Sequence, residues 1–283
     1  MESLKSEALS YLKTALDNPD ATFRDGQWEA IARLIDHRER LLVVQRTGWG
    51  KSLVYFLATR LLRHQGAGPT LLISPLLALM RNQIQAAQRI NIQAATINSS
   101  NSEEWSIIEQ QLLAGSIDIL LISPERLANQ DFLDNVMMHI AEKVGLLVVD
   151  EAHCISDWGH DFRPDYRRII RIIQGLPPNI PVLATTATAN NRVSQDIQAQ
   201  LGEKLTISRG TLTRKSLKLQ NIYLPTPAER MAWLLEYLPQ LPGSGIIYTL
   251  TVRDARKLTN FFKKKALNPP LMMVNLTMNC DKN

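Results

Sequence analysis

The sequence predicts an α/β fold, a parallel sheet with helices on both faces, and three features carry the prediction. Short apolar runs bounded by turn residues recur along the chain, at 41–44, 70–73, 94–97, 117–122, 144–149 and 182–184, and each reads as a buried strand. Segments with helical spacing lie between them, at 52–62, 76–89, 102–113 and 192–201. A glycine-rich turn, Gln45-Arg46-Thr47-Gly48-Trp49-Gly50-Lys51-Ser52, separates the first run from the helix after it. Strand and helix alternate throughout, and in such a sheet ligands gather at the carboxyl ends of the strands.

Composition narrows the class without naming a function. The 45% hydrophobic content of 283 residues is enough for a packed core, so disorder is not expected. No apolar run approaches the roughly 20 residues of a membrane span. Cys154 and Cys280 are too few and too far apart for a disulfide framework, which fits a reducing compartment, with the cytoplasm as the expected location. An excess of 32 basic over 27 acidic residues favours a polyanion but equally describes an ordinary solvated surface.

The first strand leads into a turn suited to phosphate. Glycines let backbone N–H groups approach phosphate oxygens, and the N-terminus of the following helix adds favourable partial charge. Thr47, Gly48, Trp49 and Gly50 would form the cradle, Lys51 would reach the outer phosphates, and Ser52 would ligate Mg2+. The generic pattern begins with glycine, and Gln45 stands there instead.

Asp150-Glu151-Ala152-His153 ends the fifth run, where a sheet presents side chains to a ligand. Two carboxylates there can divide the labour. Asp150 would hold Mg2+ through its water shell, and Glu151 would orient and polarise an attacking water. His153, Cys154 and His160 do not make a zinc site, because no fourth ligand stands at a finger-like spacing.

With these motifs in place, residues 20–262 resemble the superfamily-two helicases, and among them the RecQ-like DNA helicases. That resemblance implies a RecA-like ATP-binding domain with ATP and Mg2+ as cofactors. Phe23-Arg24-Asp25-Gly26-Gln27 is similar to the family's adenine-reading element, in which Gln27 would hydrogen-bond the adenine edge and Arg24 would also bind the nucleotide, although Asn18-Pro19-Asp20 replaces the usual aromatic Phe-Gly segment. Ser74-Pro75, continuing through Arg81 to Gln83, and Asn98-Ser99-Ser100 are similar to motifs that grip one DNA strand without reading its sequence. Ser123-Pro124-Glu125-Arg126-Leu127 also matches the family.

The stretch from Ala152 to Tyr166 resembles the aromatic-rich loop of RecQ. Trp158 and Phe162 would stack on bases of single-stranded DNA, each worth roughly 1 to 3 kcal/mol, with His160 and Arg163 beside them. The same aromatics could instead pack the loop against the core. Ala184 to Ala189 resembles the motif linking hydrolysis to unwinding, so His153, Thr186 and Thr188 are the expected coupling residues.

Residues 1–218 are expected to form the first domain, with a helical lead-in over 1–22, and 219–283 to begin a second. The stretch 204–219 reads as a connector. Thr226-Pro227-Ala228-Glu229 is a capping box, predicting a helix to about Leu238, and a strand at 245–248 and an amphipathic helix at 253–265 should follow. Beyond Asn268 the resemblance fades, and the family's arginine finger, cysteine-rich zinc region and winged helix have no counterpart. A helicase truncated within its second RecA-like domain is therefore expected, its relatives unwinding DNA three-prime to five-prime in recombination and repair. Alternatives are a nucleotide-gated DNA-binding fragment without catalysis, and an RNA helicase or restriction-type translocase. The partner expected in the leading reading is DNA, single-stranded and partly duplex, with no membrane.

Overall fold

The computed structural model describes residues 2–75, 84–85, 87–97, 102–158, 162–177, 179–212, 217–243 and 245–264. The chain divides into two compact units, Met1–Arg214 and Lys215–Asn283. The first is a seven-stranded parallel sheet made of β1 (Arg40–Val44), β2 (Thr70–Ile73), β3 (Ala94–Ile97), β4 (Ile119–Ile122), β5 (Leu146–Val149), β6 (Val182–Thr186) and β7 (Thr206–Arg209). Their spatial order is β3-β4-β2-β5-β6-β1-β7.

The uniformly apolar runs are explained by two cores, one on each face of the sheet. Because side chains alternate across a strand, Leu42 and Val44 enter one core while Leu41 and Val43 enter the other. β5 divides the same way, Leu147 and Val149 against Leu146 and Val148. The second of these cores is covered by α1 (Glu2–Leu16), α2 (Gln27–Asp36) and α3 (Lys51–His64), through residues such as Leu12, Leu34 and Leu57. The first is covered by α4 (Trp105–Leu113), the mixed-pitch helical stretch 130–143, α5 (Ile169–Gly175) and α6 (Asn191–Leu201), through Ile108, Ile172 and Ile197. Each fully buried Leu, Ile or Val contributes roughly 1.5 to 3 kcal/mol relative to exposure, so this two-sided sheet is the main source of stability.

Six of the strands fall on the six apolar runs, although β4 and β5 each begin two residues later than their runs. The seventh corrects the sequence reading. Thr206–Arg209, taken as connector, is an edge strand paired with β1, Leu41 facing Thr206 and Val44 facing Arg209. Its outer side meets solvent, so its side chains are largely exposed and polar and leave no apolar run to detect. Arg33, Glu39 and Thr206 pin it, with Arg33 Nη2 donating to Glu39 Oε2 at 2.6 Å and to Thr206 Oγ1 at 2.7 Å.

In the second unit the capping box forms as expected. Thr226 Oγ1 accepts from Glu229 N at 3.2 Å, and Glu229 Oε2 accepts from Thr226 N at 2.8 Å, starting α7 (Pro227–Tyr237). The amphipathic helix α8 spans Val252–Lys264. The strand expected at 245–248 is absent among the described residues. Ile246 is 78% and Tyr248 84% exposed, and a segment without a hydrogen-bonded neighbour is not a strand, however apolar its sequence.

Candidate functional site

Strand order brings the sequence motifs to one edge. β5, β6 and β1 are consecutive neighbours, so the turn after β1, the acidic pair after β5 and the threonines ending β6 emerge side by side at the carboxyl end of the sheet. Val44 faces Thr186 and Val149 faces Ala184, which sets Asp150 beside Thr185. Adjacent strands are ~4.8 Å apart, so β1 and β5 are roughly 10 Å apart, a span that a phosphate chain and its counter-ion can bridge.

A cavity of about 320 Å³ opens here, lined by Arg24, Gln27, Thr47 to Leu53, Tyr55, Asp150 and Glu151, with Leu12, Leu16 and Thr22 from the lead-in. The turn is built on glycine geometry. Gly48 and Gly50 have φ of 80° and 95°, a region that costs other residues energy. The Lys51 ammonium is held by the carbonyls of Gln45 at 2.9 Å and Arg46 at 3.5 Å. Burial pushes the Lys51 pKa down, and the Glu151 and Asp150 carboxylates oppose that shift.

The Gln27 amide is the latch between the two halves of this wall. Its Oε1 accepts from Arg24 N at 2.8 Å, and its Nε2 donates to the Trp49 carbonyl at 2.9 Å. Arg24 donates to the Gly48 carbonyl, and Trp49 Nε1 to the Asp25 carbonyl at 3.2 Å. A Cβ at Gly50 would lie 2.7 Å from Gln27 Nε2. Gly50→Ala combines that clash with a left-handed backbone, and it is expected to lower unfolding stability by about 1 to 3 kcal/mol, measurable by urea denaturation.

Asp150 is buried at the floor of the cavity. Thr185 Oγ1 donates to its Oδ1 at 2.5 Å, and Ser74 Oγ makes a longer contact to Oδ2 at 3.5 Å. Burial raises its pKa, which the Thr185 hydrogen bond and the Lys51 ammonium counter, while Glu151 adds to the rise. A buried carboxylate sharing a cavity with the Ser52 hydroxyl offers the oxygen donors that a hard divalent cation takes, and a cation would relieve the cost of keeping Asp150 ionised.

Glu151 leaves the strand in a left-handed conformation, φ 50° and ψ 45°, rare for a residue with a side chain and worth about 1 to 3 kcal/mol of strain. Its Oε2 lies 3.2 Å from His153 Nδ1, which is also 3.0 Å from Thr186 Oγ1. Thr186 Oγ1 in turn accepts from Thr188 N at 3.1 Å. The expected coupling residues His153, Thr186 and Thr188 thus form one continuous chain of polar contacts ending at Glu151.

On the aromatic loop, Trp158 is 60% exposed and so does not pack into the core. Phe162 is half-buried, with the Arg167 guanidinium 5.1 Å from its ring centre. Arg163 Nη1 lies 3.4 Å from Glu125 Oε1, joining the loop to the turn after β4. Ser74, expected at a DNA surface, is only 1% exposed, with its hydroxyl toward Asp150, while Pro75 beside it is half-buried. Arg81, Asn98, Ser99 and His160 lie outside the described residues. Sequence reasoning missed Thr185 and Tyr166, whose hydroxyl donates to the Asp150 carbonyl at 2.8 Å. Tyr166 closes the aromatic stretch 16 residues downstream, and nothing in linear spacing signals the contact.

The chain is similar to known proteins over most of its length. The chain is 35% identical over 251 residues to the ATP-dependent DNA helicase RecQ of Bacillus subtilis, covering 86% of this chain and 40% of that protein. It is 33% identical over 266 residues to RecQ of Haemophilus influenzae, covering 93% and 41%. A third relative, the RecQ-like DNA helicase BLM of Xenopus laevis, is 34% identical over 256 residues, covering 87% of this chain and 18% of that one. The chain thus spans about two fifths of the length of the bacterial relatives. In fold it is similar to the DUF1998 helicase MrfA, with TM-score 0.65, 19% identity and 95% of this chain and 42% of that one covered. It also resembles the Hef helicase domain of Pyrococcus furiosus, with TM-score 0.51, 22% identity and 66% and 38% covered. Residues 24–197, reaching from the Gln27 element into α6, match the family model of the DEAD/DEAH box helicases. With well over half its length accounted for by that model, the chain belongs to the DEAD/DEAH box helicase family.

Proposed function

We propose that this chain is the ATP-binding and DNA-coupling part of a RecQ-like, ATP-dependent DNA helicase. The reading rests above all on one observation: Lys51 and Ser52, at the start of α3, and Asp150 and Glu151, just after β5, line a single cavity. Lys51 would neutralise phosphate oxygens, exchanging its carbonyl partners for them, and the Gly48 to Gly50 backbone would cradle the chain. Ser52 and Asp150 would hold Mg2+, which supplies positive charge across the phosphates. Glu151, oriented by His153, would position the attacking water and accept its proton. Gln27 and Arg24 would read the adenine edge once released from the turn backbone. Residues 1–218 would act as the first RecA-like domain and 219–283 as part of the second, in a cytoplasmic protein.

The nucleic-acid side would run from β3 across β4 to β2, the other half of the same sheet edge, with Pro75, Arg81, Asn98 and Ser99 as the expected contacts to the DNA backbone and Trp158, His160, Phe162 and Arg163 to the bases. Single-stranded DNA suits an exposed indole, because every base has a face to stack. Phosphate release by the chain with Mg2+ and ATP, measured with and without a single-stranded oligodeoxynucleotide, tests the reading; stimulation by DNA is expected. Trp158→Ala should leave ATP affinity unchanged and weaken oligonucleotide binding roughly 5- to 150-fold, the worth of one stacked base. Unchanged DNA binding would refute the loop assignment. A second reading is nucleotide-gated DNA binding without turnover. ATP binding without any phosphate release would select it.

A further inference from the structure

The aromatic loop is held from a direction the helicase motifs do not include. Helix α6 begins three residues after Thr188, with the Asn190 side chain capping it by accepting from Val193 N at 2.9 Å. Two residues one turn apart on this helix, Arg192 and Asp196, reach the loop. Asp196 Oδ2 accepts from Ser156 Oγ at 2.5 Å, and Ser156 Oγ accepts from Trp158 N at 3.1 Å, which fixes the backbone from which the indole projects. The Arg192 guanidinium carbon lies 3.5 Å from the centre of the Trp158 ring. At that distance the planar guanidinium is stacked on the indole face.

We propose that Arg192 is a positioning residue for the nucleic-acid contact: its guanidinium backs one face of the Trp158 indole and presents the opposite face to a nucleobase. The proposal rests on reading Trp158 as a base-stacking residue. Exposed tryptophan side chains turn freely about two torsions, and a base that stacks on one must stop that motion. A guanidinium on one face and a fixed backbone beneath do so beforehand, leaving a prepared platform. Arg192 is itself exposed and, among the described residues, is paired with no carboxylate, so no ion pair draws its guanidinium off the indole face. The anchoring also closes a circuit. Glu151, His153, Thr186 and Thr188 lead by polar contacts to the start of α6, and α6 leads back through Arg192 and Asp196 to the loop that follows His153. A base that presses on Trp158 therefore pushes on a helix joined to the Thr186 turn.

The test is a double-mutant cycle on the full 283-residue chain, with binding of a labelled single-stranded oligodeoxynucleotide read by fluorescence anisotropy and ATP affinity measured alongside. Arg192→Ala is expected to weaken oligonucleotide binding about two- to five-fold, the size of an exposed cation–π contact, with ATP affinity unchanged. In the Trp158→Ala background the same substitution should have no further effect, because the side chain it positions is gone. Effects that multiply would mean that Arg192 meets DNA by itself, and would overturn the proposal, as would normal binding by Arg192→Ala when Trp158→Ala is impaired. Normal binding by Trp158→Ala would overturn the stacking reading and, with it, this proposal. Arg192 faces solvent, so the variants should fold, and an unchanged urea midpoint checks that they do.

Discussion

Lys51→Ala is expected to lower ATP affinity about 10- to 150-fold and to reduce phosphate release to background. The first figure is the worth of a charge-assisted hydrogen bond to a phosphate, roughly 1.5 to 3 kcal/mol. The second follows because charge accumulates on the transferring group and, among the described residues, no other lysine lines the cavity. Loss of fold does not account for this outcome, since the Lys51 side chain contributes only two contacts to backbone carbonyls at the mouth of the turn, at 2.9 and 3.5 Å. Equilibrium binding of a fluorescent ATP analogue and a phosphate-release assay check both figures. A variant that hydrolyses ATP at the rate of the parent would remove the glycine-rich turn from the site altogether.

What could be read from the sequence was set by burial. Strands flanked on both sides and covered on both faces, such as β1 and β5, must be apolar at every buried position, and their runs stand out. β7 has a neighbour on one side only, and Thr206, Ser208 and Arg209 face water or polar partners, so its sequence is indistinguishable from a loop. The opposite error at 245–248 has the same root. An apolar stretch states only that burial is available to it, and pairing depends on a neighbour far away in sequence.

The site followed a similar rule. Residues in one continuous motif, from Thr47 to Ser52 and from Asp150 to His153, were legible because their spacing along a strand-turn-helix unit fixes their geometry. Contacts made across strands were not. Thr185 bonds Asp150 only because β6 lies between β5 and β1, and Arg192 meets Trp158 only because α6 returns over the loop. Ser74 shows the reverse. Its motif is recognisable, yet strand pairing through Asp150 N to the Ile73 carbonyl at 2.8 Å draws the hydroxyl inward to the acidic pair. Its substitution should therefore affect the cation site before it affects DNA.

Glu151→Gln separates binding from chemistry. Glutamine keeps the shape of the side chain but cannot accept a proton, so phosphate release should fall by about 10² to 10⁴, the usual contribution of a general base. ATP affinity and oligonucleotide affinity should both persist, because the phosphate-holding groups, Lys51 and the turn backbone, are untouched. Asp150→Asn makes the contrast. It removes the carboxylate that would hold Mg2+, so it should weaken ATP binding in the presence of Mg2+ and have little effect once the metal is chelated. The strained backbone at Glu151 sharpens this prediction, since a conformation costing about 1 to 3 kcal/mol is retained where it aims a side chain at a particular point. His153 holds that carboxylate from behind, and Thr186 holds His153, so a shift in the Thr186 turn moves the base without moving the phosphate site. Full hydrolytic activity in Glu151→Gln, with binding intact, would mean that the proton leaves by another route and that the chain from Thr188 to Glu151 has no part in the reaction.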